Sequence, residues 1–161
     1  MNIDLLETVR QEIIYRPQRF CAAQWAFARN TRRVKDEGAS PVGFKCCIAG
    51  HVLLQGDHFT ERTLLFRGGF HDGEHLWQRA GDVLDLTTAQ RDELFFPSQW
   101  DKPYKQDYYL CGRDEEAEVA AAYIDHFISK HAVPAEGPAP LPTASGSARR
   151  GTDERAAVAA E

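Results

Sequence analysis

The run Lys45-Cys46-Cys47-Ile48-Ala49-Gly50-His51 puts two adjacent thiols one helical turn ahead of an imidazole. A cysteine at a helix N-terminus feels free backbone N–H groups and partial positive charge. It can ionise to a nucleophile, ligate a metal or simply fill a small buried space. Nucleophilic use requires an imidazole to accept the thiol proton and a third group to orient that imidazole. The sequence offers Cys47 as nucleophile, His126 as base and Asp125 as orienter, with His51 on the same helical face as Cys47. The competing structural reading is that the thiols are buried. Cys is among the most buried residue types, and small residues at Ala49-Gly50 allow close helix packing.

A second pattern, His71-Asp72-Gly73-Glu74-His75, matches the H-x-x-E-H order of inverted zinc peptidases. In that chemistry His71 and His75 bind zinc from one helical face and Glu74 is the general base. A further carboxylate, here Glu115, Glu116 or Glu118, completes the ligand set. Gly68, Gly69 and Gly73 work against a helix at this place. A structural zinc site built from Cys46, Cys47, His51 and His58 or His71 lacks the usual spacing between ligating cysteines. Zinc is thus the one metal these patterns admit, and otherwise no cofactor is expected.

A third group is aromatic: Trp25, Phe27, Trp77, Trp100, Tyr104, Tyr108 and Tyr109. Most should be core, because Trp and Tyr bury large areas. Trp25, Arg29, Trp100 and Tyr104 are the candidates for a surface that binds another protein, since such side chains dominate interface energetics.

Positioning these residues falls to a set of short helices. Ile3, Leu6, Val9, Ile13 and Ile14 recur at helical spacing, so a helix is predicted from Asn2 to about Tyr15, ended by Pro17. Phe20–Phe27 reads as a short helix or a buried turn, and Asn30–Val42 as a loop. Cys46–Gln55 is apolar on nearly every face, which predicts a central buried helix ended by Gly56. Asp57–Asp72 is expected to be an ordered loop with at most one helical turn or a short strand at Thr63–Phe66. A helix is predicted at Glu74–Leu84. Thr87 and Gln90 form a capping box for the next one, which Pro97 ends. Ser98–Cys111 reads as an aromatic connection on the core. A long helix over Glu115–His131 follows, acidic in its first turn and basic in its last. The expected fold is mostly α: a compact single-domain bundle of about five short helices with long ordered loops over residues 1–132. Residues 133–161, rich in Pro, Ala, Gly and Ser, are expected to be a disordered tail that can be removed without loss of folding.

The 161 residues carry 19 Lys and Arg against 24 Asp and Glu, a net charge of −5. That balance argues against a dedicated nucleic-acid partner, which usually meets a basic face. Arg16, Arg19, Arg29, Arg32, Arg33 and Lys35 cluster in sequence, but as a solvated surface. No apolar run reaches the roughly 20 residues of a membrane span, and Met1-Asn2-Ile3-Asp4 has no secretory-signal character. Four cysteines with no C-x-x-C pair read as reduced thiols of a cytoplasmic protein.

Several motifs occur together. These are Gln24-Trp25-Ala26-Phe27-Ala28-Arg29, then Cys47-Ile48-Ala49-Gly50, then Leu84-Asp85-Leu86-Thr87-x-x-Gln90-x-x-x-Leu94-Phe95. Trp100 and Ala122-Tyr123-Ile124-Asp125-His126-Phe127-Ile128 complete the series. In this order the chain, over about Leu5–His131, resembles a group of small bacterial and phage proteins with a Cys-x-x-Gly helix. Many of them carry another Cys five residues before the Cys-x-x-Gly cysteine. Here that place holds Val42, and the extra thiol is Cys46. The resemblance implies a helical fold and brings no activity with it.

The first functional expectation is a protein-binding or regulatory module, engaging a protein partner or a second copy of itself. A cysteine-dependent enzyme comes second and a zinc hydrolase third, so the sequence leaves open whether the protein is an enzyme.

Overall fold

A computed structural model describes residues 1–30, 40–67, 70–71 and 73–132. The tail expected at 133–161 lies outside them. Helix α1 (Ile3–Tyr15) begins where the Asn2 side chain accepts the Leu5 N–H at 3.1 Å. It buries Leu6, Val9 and Ile13, and Pro17 then opens a single 3-10 turn. The next segment is extended rather than helical. Strand β1 (Ala26–Phe27) pairs antiparallel with β2 (Lys45–Cys46), Ala26 opposite Cys46 and Phe27 opposite Lys45, while Phe20 bridges the other edge of Cys46.

The predicted helix over Cys46–Gln55 therefore starts two residues late. Cys46 closes a strand, Cys47 is the N-cap, and α2 runs Ile48–Gln55. Every residue from Ile48 to Leu53 is buried, as expected of a helix apolar on all faces. A Cβ on Gly50 would stand 2.7 Å from the Cys46 Cβ and 3.1 Å from the Trp25 carbonyl oxygen, so only glycine lets α2 lie this close to β1 and β2.

Two expected loops contain helices. Thr60 Oγ1 accepts the Thr63 N–H and starts α3 (Glu61–Arg67). Helix α6 (Tyr104–Leu110) forms within the aromatic connection. Between α3 and α4 (Leu76–Val83), strands β3 (Phe70–His71) and β4 (Glu74–His75) form a tight hairpin whose turn holds Gly73 at φ +86°. Helix α5 (Thr88–Phe95) carries the Thr87–Gln90 capping box as read, and α7 (Glu116–His131) closes the fold.

The fold is mostly α, with seven α-helices rather than about five and two short antiparallel strand pairs among the described residues. Helix α1 packs on α2 and α7, α2 on α4, and α6 on α7. One core joins Leu6, Ile13, Ile48, Leu53, Leu76, Leu94, Tyr123 and Phe127. No helix among the described residues is long and apolar enough to cross a membrane.

Candidate functional site

The thiols at the start of α2 sit where the dipole argument places them, yet they are not activated. Burial pushes Cys47 up to about 11, against the downward pull of the Gly50 and Ala49 N–H groups. Burial raises Cys46 still more strongly, and the adjacent Cys47 adds to it. The expected lowering at the helix N-terminus is overturned because desolvation of a thiolate outweighs a terminal dipole. His51 is 1% exposed, and neither ring nitrogen reaches a hydrogen-bond partner. Its ring stacks on Phe20 at 6.3 Å. Burial pulls its pKa down to about 4. The Arg19 backbone offsets part of that shift and the Arg19 guanidinium adds to it.

The supposed partners of Cys47 are engaged elsewhere. His126 Nε2 lies 3.2 Å from Asp101 Oδ2, and its ring packs on Tyr104. Asp125 pairs with Arg10 at 2.5 Å. No hydrogen bond joins Cys47 to His126 or Asp125 among the described residues. His126 and Asp101 belong to a network in which Lys130 bonds Asp101 (2.6 Å) and Glu93 (2.8 Å), and His131 bonds Glu93 (3.1 Å). The lysine and the histidines hold both carboxyls below their usual range. Burial of Glu93 is the largest single effect there and opposes the shift.

The H-x-x-E-H segment is not helical. His71 stands opposite Glu74 in the hairpin, and His75 caps α4 with its ring stacked on Trp77 at 5.3 Å. The shared helical face that the zinc-peptidase reading requires is therefore not formed, because Gly73 turns the chain between the two histidines. Among the described residues no three His, Cys, Asp or Glu side chains converge to hold a metal.

Of the four predicted binding residues, Trp100 belongs to the core. It is 3% exposed, stacks on Tyr123 at 4.4 Å and donates its indole N–H to the Leu94 carbonyl. Tyr104 is half-buried against Tyr123 and His126. Trp25 is half-buried and its carbonyl accepts the Cys47 N–H. Arg29 is exposed, its aliphatic stem lying over Gly43.

Tyr15, Phe66 and Phe96 are exposed singly, whereas two other exposed rings, Phe27 (43%) and Tyr109 (61%), come together. They line one cleft of about 600 Å³ together with Cys21, Ala23, Gln24, Lys45, Tyr108, Cys111, Arg113 and Glu116. The antiparallel pair Phe27–Lys45 forms one side, and the α6–α7 junction forms the other. Glu116 ties the two together, its Oε1 accepting the Ala22 N–H (2.8 Å) and the Tyr108 hydroxyl (3.4 Å). Burial and this carboxylate push Tyr108 up to about 12. Lys45 and Arg113 have no acidic partner within ion-pair distance among the described residues. Lys45 also lines a second, smaller cleft of about 380 Å³ with Arg19, Arg29, Ser40, Pro41 and Phe44, where Arg19 is already paired with Glu61.

Two further clefts also carry charged residues. The one beside Glu93, Asp101 and Lys130 has its charges mutually paired. The one beside His58 and Asp82 has its Arg79 stacked on Phe59. The sequence reading names Phe27, Tyr108 and Tyr109 only among aromatics expected mostly in the core, and its binding candidates Trp25, Arg29, Trp100 and Tyr104 do not line this cleft. The signal for Lys45 was its strand neighbour Cys46, since alternate residues of a strand face opposite sides. No family model, curated protein or solved structure matches the chain. The resemblance to the Cys-x-x-Gly proteins rests on its short motifs alone.

Proposed function

We propose that this protein is a binding module that engages another protein through the Phe27–Tyr109 cleft. One observation carries the reading: two exposed aromatic rings wall a concave surface whose cations, Lys45 and Arg113, have no ion-pair partner among the described residues. Aromatic rings in a cleft rimmed by polar groups are what interface hot spots are made of. The chemistry-bearing residues of the core support no competing site, because the thiols are held protonated and His51 is held neutral by burial. Four unpaired cysteines favour a reducing compartment, and we place the protein in the cytoplasm on that ground.

The test is hydrogen-exchange protection of the full chain on adding peptides selected for binding to it from a display library. Protection of residues 20–30, 42–46 and 108–116 is expected. Protection confined to other segments would overturn the reading. Concentration-dependent protection of the same segments without peptide would identify a second copy as the partner.

A further inference from the structure

We infer that Cys21 and Cys47 form a redox-active dithiol that a hydroperoxide closes into a disulfide. The inference stands on strand register and is independent of what the cleft binds. Phe20 pairs with Cys46 in a parallel bridge, and the Cys21 N–H donates to the Cys46 carbonyl at 3.1 Å. One residue further along both segments, Cys21 comes beside Cys47. Phe20, Cys46 and Cys47 all have extended backbone, and successive side chains of an extended chain point to opposite faces. Phe20 (3% exposed) and Cys46 (0%) turn into the core together, which turns Cys21 and Cys47 together to the other face. Paired strands run about 4.8 Å apart, inside the Cα separation of about 4.4–6.8 Å that a disulfide spans. The electrostatics agree with this register. Burial apart, Cys21 is among the groups that raise Cys47, whereas Cys46 responds to Cys47, Arg19, Glu61 and Glu12.

Exposure orders the chemistry. Cys21 is half-exposed on the Phe27–Tyr109 cleft, where a small oxidant reaches it. Cys47, 8% exposed at the N-cap of α2, meets only its neighbours. The Cys21 thiolate attacks a peroxide oxygen: an S–O bond forms, the O–O bond breaks, and the leaving oxygen takes a proton and departs as water or an alcohol. The Cys47 sulfur then attacks the sulfur of the Cys21 sulfenic acid. An S–S bond forms, the S–O bond breaks, and the hydroxyl leaves as water with the Cys47 proton. The two thiols lose two electrons and one hydroperoxide gains them. Burial keeps Cys47 a thiol until that step, while the Gly50 and Ala49 N–H groups favour its sulfur as negative charge develops. A disulfide made and reversed in this way is the kind a reducing compartment admits. Cys111 shares the cleft, but its thiol donates to the Tyr108 carbonyl at 3.2 Å, and burial, Glu116, Glu115 and Asp107 all oppose its ionisation.

The experiment treats the reduced full chain with hydrogen peroxide near neutral pH, blocks the remaining thiols at intervals and maps the peptides by mass. A single disulfide from Cys21 to Cys47 is expected, formed at least about tenfold faster in the folded chain than in urea and reversed by dithiothreitol. Cys111→Ser should leave its rate unchanged. Cys47→Ser keeps a preferred N-cap residue, so the fold should persist. In that variant no disulfide should form, and Cys21 should accumulate as a sulfenic acid that dimedone traps. A bridge from Cys21 to Cys46 or Cys111 would overturn the inference. So would oxidation of wild-type Cys21 to a sulfinic acid without a bridge, no oxidation at all, or equal rates in the folded and unfolded chains.

Discussion

Strand β2 is two residues long and belongs to two regions of opposite character. Cys46 faces the core at the start of α2, and its neighbour Lys45 faces the cleft. The core region holds the residues whose types promise most chemistry, two thiols and an imidazole, and burial silences all three in the uncharged form. The cleft holds residues that promise little singly, and its Lys45 and Arg113 have no carboxylate within ion-pair distance among the described residues. Reactive residue types are thus a poor guide where desolvation governs them. An unsatisfied charge beside an exposed ring is the better one.

Thiol alkylation breaks this comparison most sharply. Cys21 and Cys111 line the cleft and are half-exposed, while Cys46 and Cys47 are buried. Under native conditions the cleft thiols should label first. The core pair should label only through opening of the fold, more than about 1,000-fold slower than in unfolded chain. Mass mapping after a short pulse reads this directly. A first adduct at Cys47 would reverse the comparison and restore the thiol-enzyme reading.

Next in size is the pH dependence of the core. His51 has a folded pKa of about 4 against an ordinary 6.5. Above 6.5 both folded and unfolded chains carry it neutral, and its contribution to stability is complete. Between 6.5 and 4 the unfolded chain takes up a proton that the folded chain refuses, so stability falls as pH falls. The loss reaches about 3 kcal/mol once the pH is below 4. His51→Leu should remove that slope and leave a flatter curve in urea titrations across this window. If the two proteins have the same slope, the imidazole is not held neutral. Gly50→Ala probes the same packing. Its Cβ would come within 2.7 Å of the Cys46 Cβ, and a cost of about 1–3 kcal/mol in the same titration is expected.

How much of this was legible in the sequence follows from the range of the interactions. The Thr87–Gln90 box depends on residues three apart and formed as read. Helix α3 was hidden because Thr63-Leu64-Leu65-Phe66 suits a strand equally well, and the Thr60 cap that decides it is a weak signal. Helix α6 was hidden because Tyr104–Leu110 has no apolar stripe, and none of its residues is buried. The cleft was illegible as a unit. Phe27 and Lys45 meet only through strand pairing, and Tyr109 and Arg113 arrive from the far end of the chain. Trp100 misled for a related reason: its neighbours Asp101 and Lys102 suggest a surface, but stacking on Tyr123 draws the indole inward.

A third region, the C-terminal end of α7, serves as a contrast of intermediate size. There Lys130, His131 and the Tyr123 hydroxyl converge on Glu93. Glu93→Ala takes the acceptor from His131, while Lys130 keeps Asp101 and the Tyr123 hydroxyl keeps the Glu93 backbone carbonyl. Most of this network is part-exposed, so water compensates in part and the expected loss is about 1–2 kcal/mol by thermal unfolding. Loss of less than about 0.5 kcal/mol would mean that the paired charges are as dispensable as unpaired ones.

The smallest effect is expected where the functional reading is strongest. Lys45→Ala and Arg113→Ala remove cations that bond to no carboxylate among the described residues, so each should change stability by no more than about 0.5 kcal/mol. A surface charge kept for a partner contributes to the complex and not to the folded chain. Neutral stability together with weakened peptide binding is therefore the joint signature of a docking rim. A clear destabilisation on either substitution would show that the side chain's stem packs the cleft wall, and the residue would then belong to the scaffold. The two substitutions also separate the sides of the cleft. Lys45 rides on the β1–β2 pair and Arg113 on the α6–α7 junction, so a partner spanning both should lose affinity by comparable factors, and one seated on a single side should not.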